Sequence, residues 1–180
     1  MIDLLLRGGD VVDGTGAARV RADVLVAGGR IHDVVPAGTP VDAGEVVDVP
    51  AGHVVAPGFV DMHAHSDLGL LTDPGHVAKI TQGVTTEVIG QDGLSYAPID
   101  DATLAVVRRQ IAGWNGNPAD FDFSWRTVGE YLDRLDTGIT PNAAYLVPQG
   151  TLRYLAVGAD QRPATRREVD RMAEMVDRAM

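Results

Sequence analysis

Two histidines one residue apart, His63 and His65, close an apolar run in the stretch VVAPGFVDMHAHSD. In an extended strand, side chains alternate between the two faces with period two, so these imidazoles are expected to face the same way. Neutral imidazole nitrogens are common zinc ligands. The spacing therefore predicts a metal site at the end of this strand. The alternative is that both are structural or surface histidines without a metal.

The composition restricts what else could bind such a metal. The 180-residue chain has no cysteine and one lysine, Lys79, so the further donors must be histidine, a carboxylate or a modified lysine. The other histidines, His32, His53 and His76, have no partner at ligand spacing and are expected to be structural. Metal chemistry is therefore expected only around the paired histidines.

The acidic character of the chain restricts its partners. A formal net charge of -10 and a pI near 4.7 argue against nucleic acid or an anionic membrane surface, because both bind clustered positive charge. A small-molecule substrate is the expected partner, and the sequence does not indicate an oligomeric state. No apolar run reaches membrane-spanning length and the start lacks a signal-peptide pattern, which predicts a cytoplasmic location.

The hydrophobic pattern changes near Pro57 and predicts two domains. Residues 1–57 consist of short β-type runs broken by glycines, with Gly28-Gly29 placed as a hairpin turn, and predict a small antiparallel β unit. In residues 58–180, the strands FVDMHAH, VTTEVIG and NAAYLV alternate with helical segments. This alternation predicts a parallel α/β layer, a fold class that keeps its active sites at the C-terminal ends of strands.

Helix signals separate these strands. The segments DPGHVAKITQG and DDATLAVVRRQIAGW each read as one amphipathic helix, and NGNPADFDFSW reads as a polar loop with aromatics. Thr127 with Glu130, and Thr165 with Glu168, have the spacing of a capping box and predict two helix starts. The last of these helices has no stop signal in the chain.

Several of these stretches resemble a known family. APGFVDMHAHSD is similar to the first barrel strand of the amidohydrolase superfamily. ITQGVTTEVIGQDGLSYAPID resembles the second strand and following loop of its N-acyl-D-amino-acid deacylase (D-aminoacylase) branch, and QGTLR with RPAT resembles the third-strand loop of that branch. His-x-His alone is shared with dihydroorotases, hydantoinases and adenosine-deaminase relatives, whereas the stretch 81–99 is more specific.

The resemblance implies an α/β fold, the N-terminal part of a (β/α)8 TIM-like barrel preceded by strands of a small composite β-sandwich. It also implies a zinc-dependent hydrolase that cleaves N-acyl-D-amino acids to a carboxylate and a free D-amino acid. One or two zinc ions, or another divalent metal, would lie at the strand ends. Such chemistry suits amide hydrolysis, because zinc acidifies water and polarises a carbonyl.

The second-strand loop departs from the family pattern. The family usually has Asn-Cys-Gly where this chain has Gln91-Asp92-Gly93, so the resemblance places Asp92 at the position of the cysteine ligand. A carboxylate is a harder donor than a thiolate, so the preferred metal and its affinity are expected to differ. The alternative is that Asp92 is a turn residue before glycine. Gln149 likewise replaces a family histidine.

The remaining candidates have weaker signals. Ser95 and Tyr96 are predicted to line the pocket mouth, and Arg153 to meet a substrate carboxylate or, alternatively, to serve a helix start or salt bridge. Asp61 and Asp67 could orient the histidine rings or act as caps. The lysine lies on a helix and does not end a strand, so we expect a surface residue and not the carbamate bridge of other amidohydrolases.

The length of the chain limits the expected activity. A complete (β/α)8 barrel takes about 250 residues, and only three strand-helix units follow residue 58. We therefore expect the N-terminal part of a longer enzyme, inactive alone, and the resemblance implies that its general-base aspartate lies beyond residue 180. A cyclic-amide hydrolase of the dihydroorotase or hydantoinase type, and a non-catalytic truncated remnant, stay open as alternatives.

Overall fold

The structure is a computed structural model that describes residues Met1–Met180. The chain divides into two compact units, Met1–Pro57 and Gly58–Met180. None of its helices has the length and apolar character that crossing a bilayer requires.

The first unit is one mixed sheet. Its strands are β1 (Ile2–Val11), β2 (Val20–Ala27), β3 (Arg30–Pro36), β4 (Ala43–Asp48) and β5 (Val54–Val55), in the order β3-β2-β1-β4 with β5 also beside β1. Gly28 and Gly29 form the predicted hairpin turn between β2 and β3, with positive φ angles of 57° and 72°. The pairs β1–β2 and β2–β3 are antiparallel as predicted, but β1–β4 and β1–β5 are parallel, so the prediction of an antiparallel unit is only partly correct. The reason is that β4 crosses to the far side of β1.

The second unit contains a parallel three-stranded sheet. Its strands β6 (Phe59–Asp61), β7 (Val84–Ile89) and β8 (Asn142–Tyr145) lie in chain order. Around them are α1 (Gly69–Thr72), α2 (Val77–Ile80), α3 (Asp101–Gln110), α4 (Ala112–Asn115), α5 (Val128–Asp136), α6 (Gln149–Val157), α7 (Arg166–Ala179) and a short 3-10 helix, Gln91–Gly93. The predicted parallel α/β arrangement is confirmed.

Both predicted capping boxes are present. The amide of Glu130 donates to Thr127 Oγ1 at 3.2 Å, and the Glu130 carboxylate accepts from the Thr127 amide at 2.9 Å. Thr165 and Glu168 make the same reciprocal pair at the start of α7. These local signals therefore fix where two helices begin.

Some predicted elements are shorter or broken. Strand β6 ends at Asp61, because the chain bends before Ala64 rejoins β7 through a 3.1 Å hydrogen bond to the Val88 carbonyl. The helix expected over residues 73–83 covers only α2, since its start contains Pro74 and a left-handed His76 with φ of 45°. The helix expected over residues 100–114 breaks into α3 and α4 at Ile111.

The core of the second unit is largely aromatic. Trp125 lies 5.5 Å from Phe123 and 5.4 Å from Tyr131 between ring centroids, and its indole N–H donates to the Tyr96 carbonyl at 2.8 Å. The segment NGNPADFDFSW therefore supplies core side chains and is not simply a polar loop. This cluster packs against the loops that follow β6 and β7 and holds them in position.

We predict that the 180-residue chain elutes above monomer size in gel filtration. Strands β6 and β8 each pair on one side only, and Phe59, Val60 and Met62 are more than half exposed. Open edges and clustered apolar side chains favour association. A monodisperse monomer across a tenfold concentration range would contradict this prediction.

Candidate metal centre

The structure brings the three predicted metal ligands together. Nε2 of His63 and Nε2 of His65 lie 3.5 and 3.2 Å from the same Asp92 oxygen, Oδ2. One donor atom from each residue falls within 4.8 Å of the other two. The two imidazole rings are 5.1 Å apart and inclined at 71°, so their nitrogens converge without stacking.

The three side chains form an open site. His63 is 59% exposed, Asp92 is 64% exposed and His65 is 29% exposed. Two imidazole nitrogens and one carboxylate oxygen are the donor set of known catalytic zinc sites, which keep a further position for water or substrate. The donors present therefore fit a divalent metal.

Asp61 fixes the backbone at the first histidine. Its Oδ1 accepts a 3.1 Å hydrogen bond from the His63 amide, and its other oxygen pairs with the Lys79 ammonium. The hydrogen bond from Lys79 holds the pKa of the Asp61 carboxyl below its usual value. Asp61 therefore acts on the backbone of the histidine segment, and no hydrogen bond joins it to an imidazole ring.

Lys79 and His76 belong to a partly buried polar cluster around Glu87 that the sequence did not indicate. Lys79 also lies 3.2 Å from Oε1 of Glu87, which is fully buried in β7, and His76 Nε2 lies 3.1 Å from the same oxygen. Lys79 is thus partly buried and paired, not a plain surface residue. The hydrogen bond to Asp61 raises the pKa of the Lys79 amine, which disfavours a carbamate. The one sequence feature that could have indicated this cluster is the carboxylate of Glu87 inside an apolar strand.

A tight turn presents Asp92 to the histidines. Asp92 has a left-handed backbone with φ of 56°, between Gly90 and Gly93, whose φ angles are also positive. Aspartate tolerates this conformation better than most residues. Gln91 ties the turn to the histidine segment, because its Nε2 donates to the Met62 carbonyl at 2.8 Å. Asp92 is therefore a turn residue and, at the same time, presents its carboxylate to the two histidines.

Glycine is required at two places beside this turn. A side chain at Gly90 would collide with the carbonyl of Leu146 after β8. A Cβ at Gly150, in the first turn of α6, would lie 2.7 Å from the Gly93 carbonyl. The Asp92 turn is therefore packed closely against the connection between β8 and α6. Gln149, which precedes Gly150, is exposed and belongs to no metal-binding cluster.

Asp67 connects the loops that carry the candidate ligands. It is buried, and its Oδ1 accepts from the Gly90 amide at 2.9 Å and from the Ser95 hydroxyl. Its backbone carbonyl accepts from the Tyr131 hydroxyl at 2.6 Å. Burial raises the pKa of the Asp67 carboxyl. Asp67 makes no hydrogen bond to a histidine ring, so its observed contacts are with loops and not with the predicted ligands.

The predicted substrate-binding residues lie elsewhere than expected. Ser95 and Tyr96 are fully buried, so neither side chain lines a pocket mouth in this structure. The reason is that the Ser95 hydroxyl turns inward to Asp67, while the Tyr96 ring packs 5.6 Å from Phe123 in the core.

Arg153 stabilises the loop that follows α6. Its guanidinium donates to the carbonyls of Asp160 and Arg162, both at 2.7 Å. Arg153 also lines a surface cavity of about 470 Å³, which none of the three predicted metal ligands lines. In this structure Arg153 stabilises the loop after α6 through backbone carbonyls; it forms neither the salt bridge nor the helix-start contact given as the alternative, and it does not reach the metal centre.

The chain is similar to known hydrolases in sequence and in structure. A family model described as "Amidohydrolase family" matches residues 45–180. The chain is 38% identical to a D-aminoacylase of Alcaligenes xylosoxydans xylosoxydans over 188 aligned positions, which cover 99% of this chain and 35% of that protein. The chain therefore spans about a third of the curated relative.

Solved structures give the same relationship. A D-aminoacylase structure with a binuclear metal centre matches with a TM-score of 0.81 and 36% identity, over 99% of this chain and 36% of the other. An N-acyl-D-glutamate deacylase from Bordetella bronchiseptica, complexed with zinc and a phosphonate inhibitor that mimics the tetrahedral intermediate, matches with a TM-score of 0.80 and 34% identity, over 99% and 36%. The predicted TIM-like barrel is confirmed, and it is incomplete in this chain.

We predict that Asp92→Ala lowers the zinc bound by the 180-residue chain after dialysis, measured by elemental analysis. Removal of the carboxylate leaves two imidazoles, whereas Asp92→Cys restores tight binding because thiolate is the softer donor. Asp133→Ala, at an exposed position of α5, is the control for lost negative charge. Equal zinc in wild type and Asp92→Ala would leave Asp92 as a turn residue only.

Proposed function

Because this chain belongs to the amidohydrolase family, we propose that the whole protein is a zinc-dependent hydrolase of N-acyl-D-amino acids. The observation that carries the proposal is the convergence of His63, His65 and Asp92 on one point. Its support is the likeness to D-aminoacylase along 99% of the chain. The products would be a carboxylate and a free D-amino acid.

The donor atoms define how a metal would be held. Both Nε2 atoms face Asp92, so metal binding requires the tautomer in which each imidazole carries its proton on Nδ1. Asp92 would supply the anionic oxygen opposite them. A zinc ion bound there supplies Lewis acidity towards the amide carbonyl and towards a water molecule.

The preference for zinc is expected to be weaker than with a thiolate ligand. Asp92 offers a hard oxygen donor where a soft sulfur would favour zinc. We propose that one or two zinc ions bind in the whole protein. Because Asp92 is an oxygen donor, other divalent ions that prefer oxygen should compete with zinc more strongly than they would at a cysteine site.

We assign the transfer of a proton to the leaving amine to a group outside residues 1–180. Asp61 is ion-paired with Lys79, and Asp67 is buried against Gly90 and Ser95. Neither carboxylate is free to exchange a proton with a substrate at the open face of the site. A general base must lie within hydrogen-bond reach of the proton it moves. We therefore place that base in the remainder of the barrel.

Linear amides are favoured over cyclic ones. A relative that aligns along 99% of the chain is named a D-aminoacylase, and a zinc-containing structural neighbour is an N-acyl-D-glutamate deacylase. A small-molecule substrate without nucleic-acid or membrane partners fits the net charge of -10. We further propose that Met1–Pro57 forms part of a composite β-sandwich in the whole protein; the cytoplasmic location stays a prediction.

In the whole protein, His63→Ala or His65→Ala should abolish release of free D-amino acid from N-acetyl-D-amino acids at saturating zinc. Each change removes one of two neutral donors, while circular dichroism should show an intact fold because both side chains are partly exposed. His32→Ala, at an exposed position of β3, is the matched control and should keep full activity. Full activity of either metal-site variant would refute the metal assignment.

The 180-residue chain alone, supplied with zinc, should release no amino acid from the same substrates. The three donors lie on an open face of an incomplete barrel, and the proposed base lies outside residues 1–180. Turnover that is lost in His65→Ala would show that residues 1–180 hold all the catalytic groups.

A further inference from the structure

An exposed tryptophan lies beside the candidate metal centre. The ring centroid of Trp114 is 5.3 Å from that of His65, and the two rings are inclined at 50°. Trp114 is 55% exposed, whereas Trp125 is 3% exposed and uses its indole N–H in a hydrogen bond within the core. Trp114 therefore does not complete the core, and its apolar surface is open next to the proposed ligands.

A hydrogen bond of the neighbouring residue fixes the segment that carries this tryptophan. Trp114 lies in α4, and the side-chain oxygen of the next residue, Asn115, accepts from the Leu68 amide at 3.0 Å. Leu68 is buried and follows His65 by three residues, so one hydrogen bond links the two segments close to both rings. A side chain fixed in this way can position a ligand more accurately than one on a free loop.

The surroundings of Trp114 have the character of a substrate site. Small-molecule sites combine a few converging polar groups with apolar and aromatic walls. Here the polar groups are the two imidazoles and Asp92, and the exposed wall beside them is an indole. An N-acyl amino acid has an amide between two groups that can be apolar, the acyl chain and the amino-acid side chain.

From this geometry we infer that Trp114 is a specificity-determining residue that contacts an apolar group of the substrate next to the scissile amide. The inference rests on the proposed function. Burial of each methylene against the indole should raise kcat/KM by up to about fourfold. The acyl chain and the side chain offer the same contact chemistry, and the experiment below separates them.

The first test measures the proximity of Trp114 to a bound metal without using activity. In the 180-residue chain, added Cu²⁺ should quench the Trp114 emission, taken as the difference between wild type and Trp114→Phe. His65→Ala should lose this quenching. Cu²⁺ that binds through His65 and leaves the Trp114 emission unchanged would overturn the inference, and so would the absence of Cu²⁺ binding.

The second test compares substrate series in the whole, zinc-loaded protein. One series lengthens the acyl group on D-alanine from acetyl to butanoyl to hexanoyl. The other keeps N-acetyl and lengthens the side chain from D-alanine to D-norvaline to D-norleucine. Wild type should show kcat/KM rising along one series. Trp114→Ala should flatten that rise, Trp114→Phe should keep part of it, and Val169→Ala, an exposed apolar position on α7, should keep all of it.

The outcomes separate this inference from the proposed function. Loss of the rise in the acyl series assigns Trp114 to the acyl chain, and loss in the other assigns it to the side chain. Equal profiles in an active wild type and Trp114→Ala would overturn the inference alone. A uniform loss on all substrates, together with lower zinc content, would also overturn it, because Trp114 would then only support the metal site. A wild type that hydrolyses none of these substrates would overturn both.

Discussion

The buried carboxylate of Asp67 links the two segments that must meet for a metal to bind. It follows His65 by two residues, and it accepts a hydrogen bond from Gly90, two residues before Asp92. Burying a carboxylate is unfavourable unless its oxygens are hydrogen-bonded. The Gly90 amide and the Ser95 hydroxyl both donate to Oδ1 of Asp67, which offsets part of that cost. The distance between the imidazoles and the Asp92 oxygen therefore depends on a residue that is not itself a candidate ligand.

A second polar cluster supports the start of the histidine segment. Asp61, which holds the His63 amide, is paired with Lys79, and Lys79 shares Glu87 with His76. Removing one partner of a buried ion pair leaves an uncompensated charge, which is far more unfavourable than losing an exposed pair. Helix α2 is short, and these charges attach it to β7. The histidine segment is thus fixed at its start by Asp61 and at its end by Asp67.

Sequence patterns predicted the features that depend on interactions between residues close together in the chain. The capping boxes at Thr127 and Thr165, the glycine hairpin and the parallel β/α order follow from interactions over a few residues, and each is present. The histidine pair was found from its spacing, although β6 ends before it. Asp92 required the family resemblance, because an Asp-Gly pair by itself reads as a turn.

The missed features depend on contacts between distant parts of the chain. Ser95 turns inward because Asp67, 28 positions earlier, takes its hydroxyl. Lys79 looked like an exposed helix residue because its partner Asp61 is 18 positions away. Trp114 lies beside His65 in the fold although the two are far apart in the chain, and Asn115 joins α4 to Leu68 nearby. Hydrophobic periodicity carries no information about such pairings, so only the folded arrangement reveals them.

At the Asp92 turn, the path of the backbone and the identity of the donor side chain depend on different residues. Gly90 and Gly150 have no space for a side chain, so the path of the backbone there is fixed by steric contact with Leu146 and Gly93. Asp92 is largely exposed, and its side chain takes no part in holding that path. The donor presented to the histidines therefore depends on this one side chain and not on the glycine contacts, although the left-handed backbone restricts the exchange to residues that tolerate a φ of 56°. The metal chemistry of this scaffold is thus evolvable at one position while its architecture stays the same.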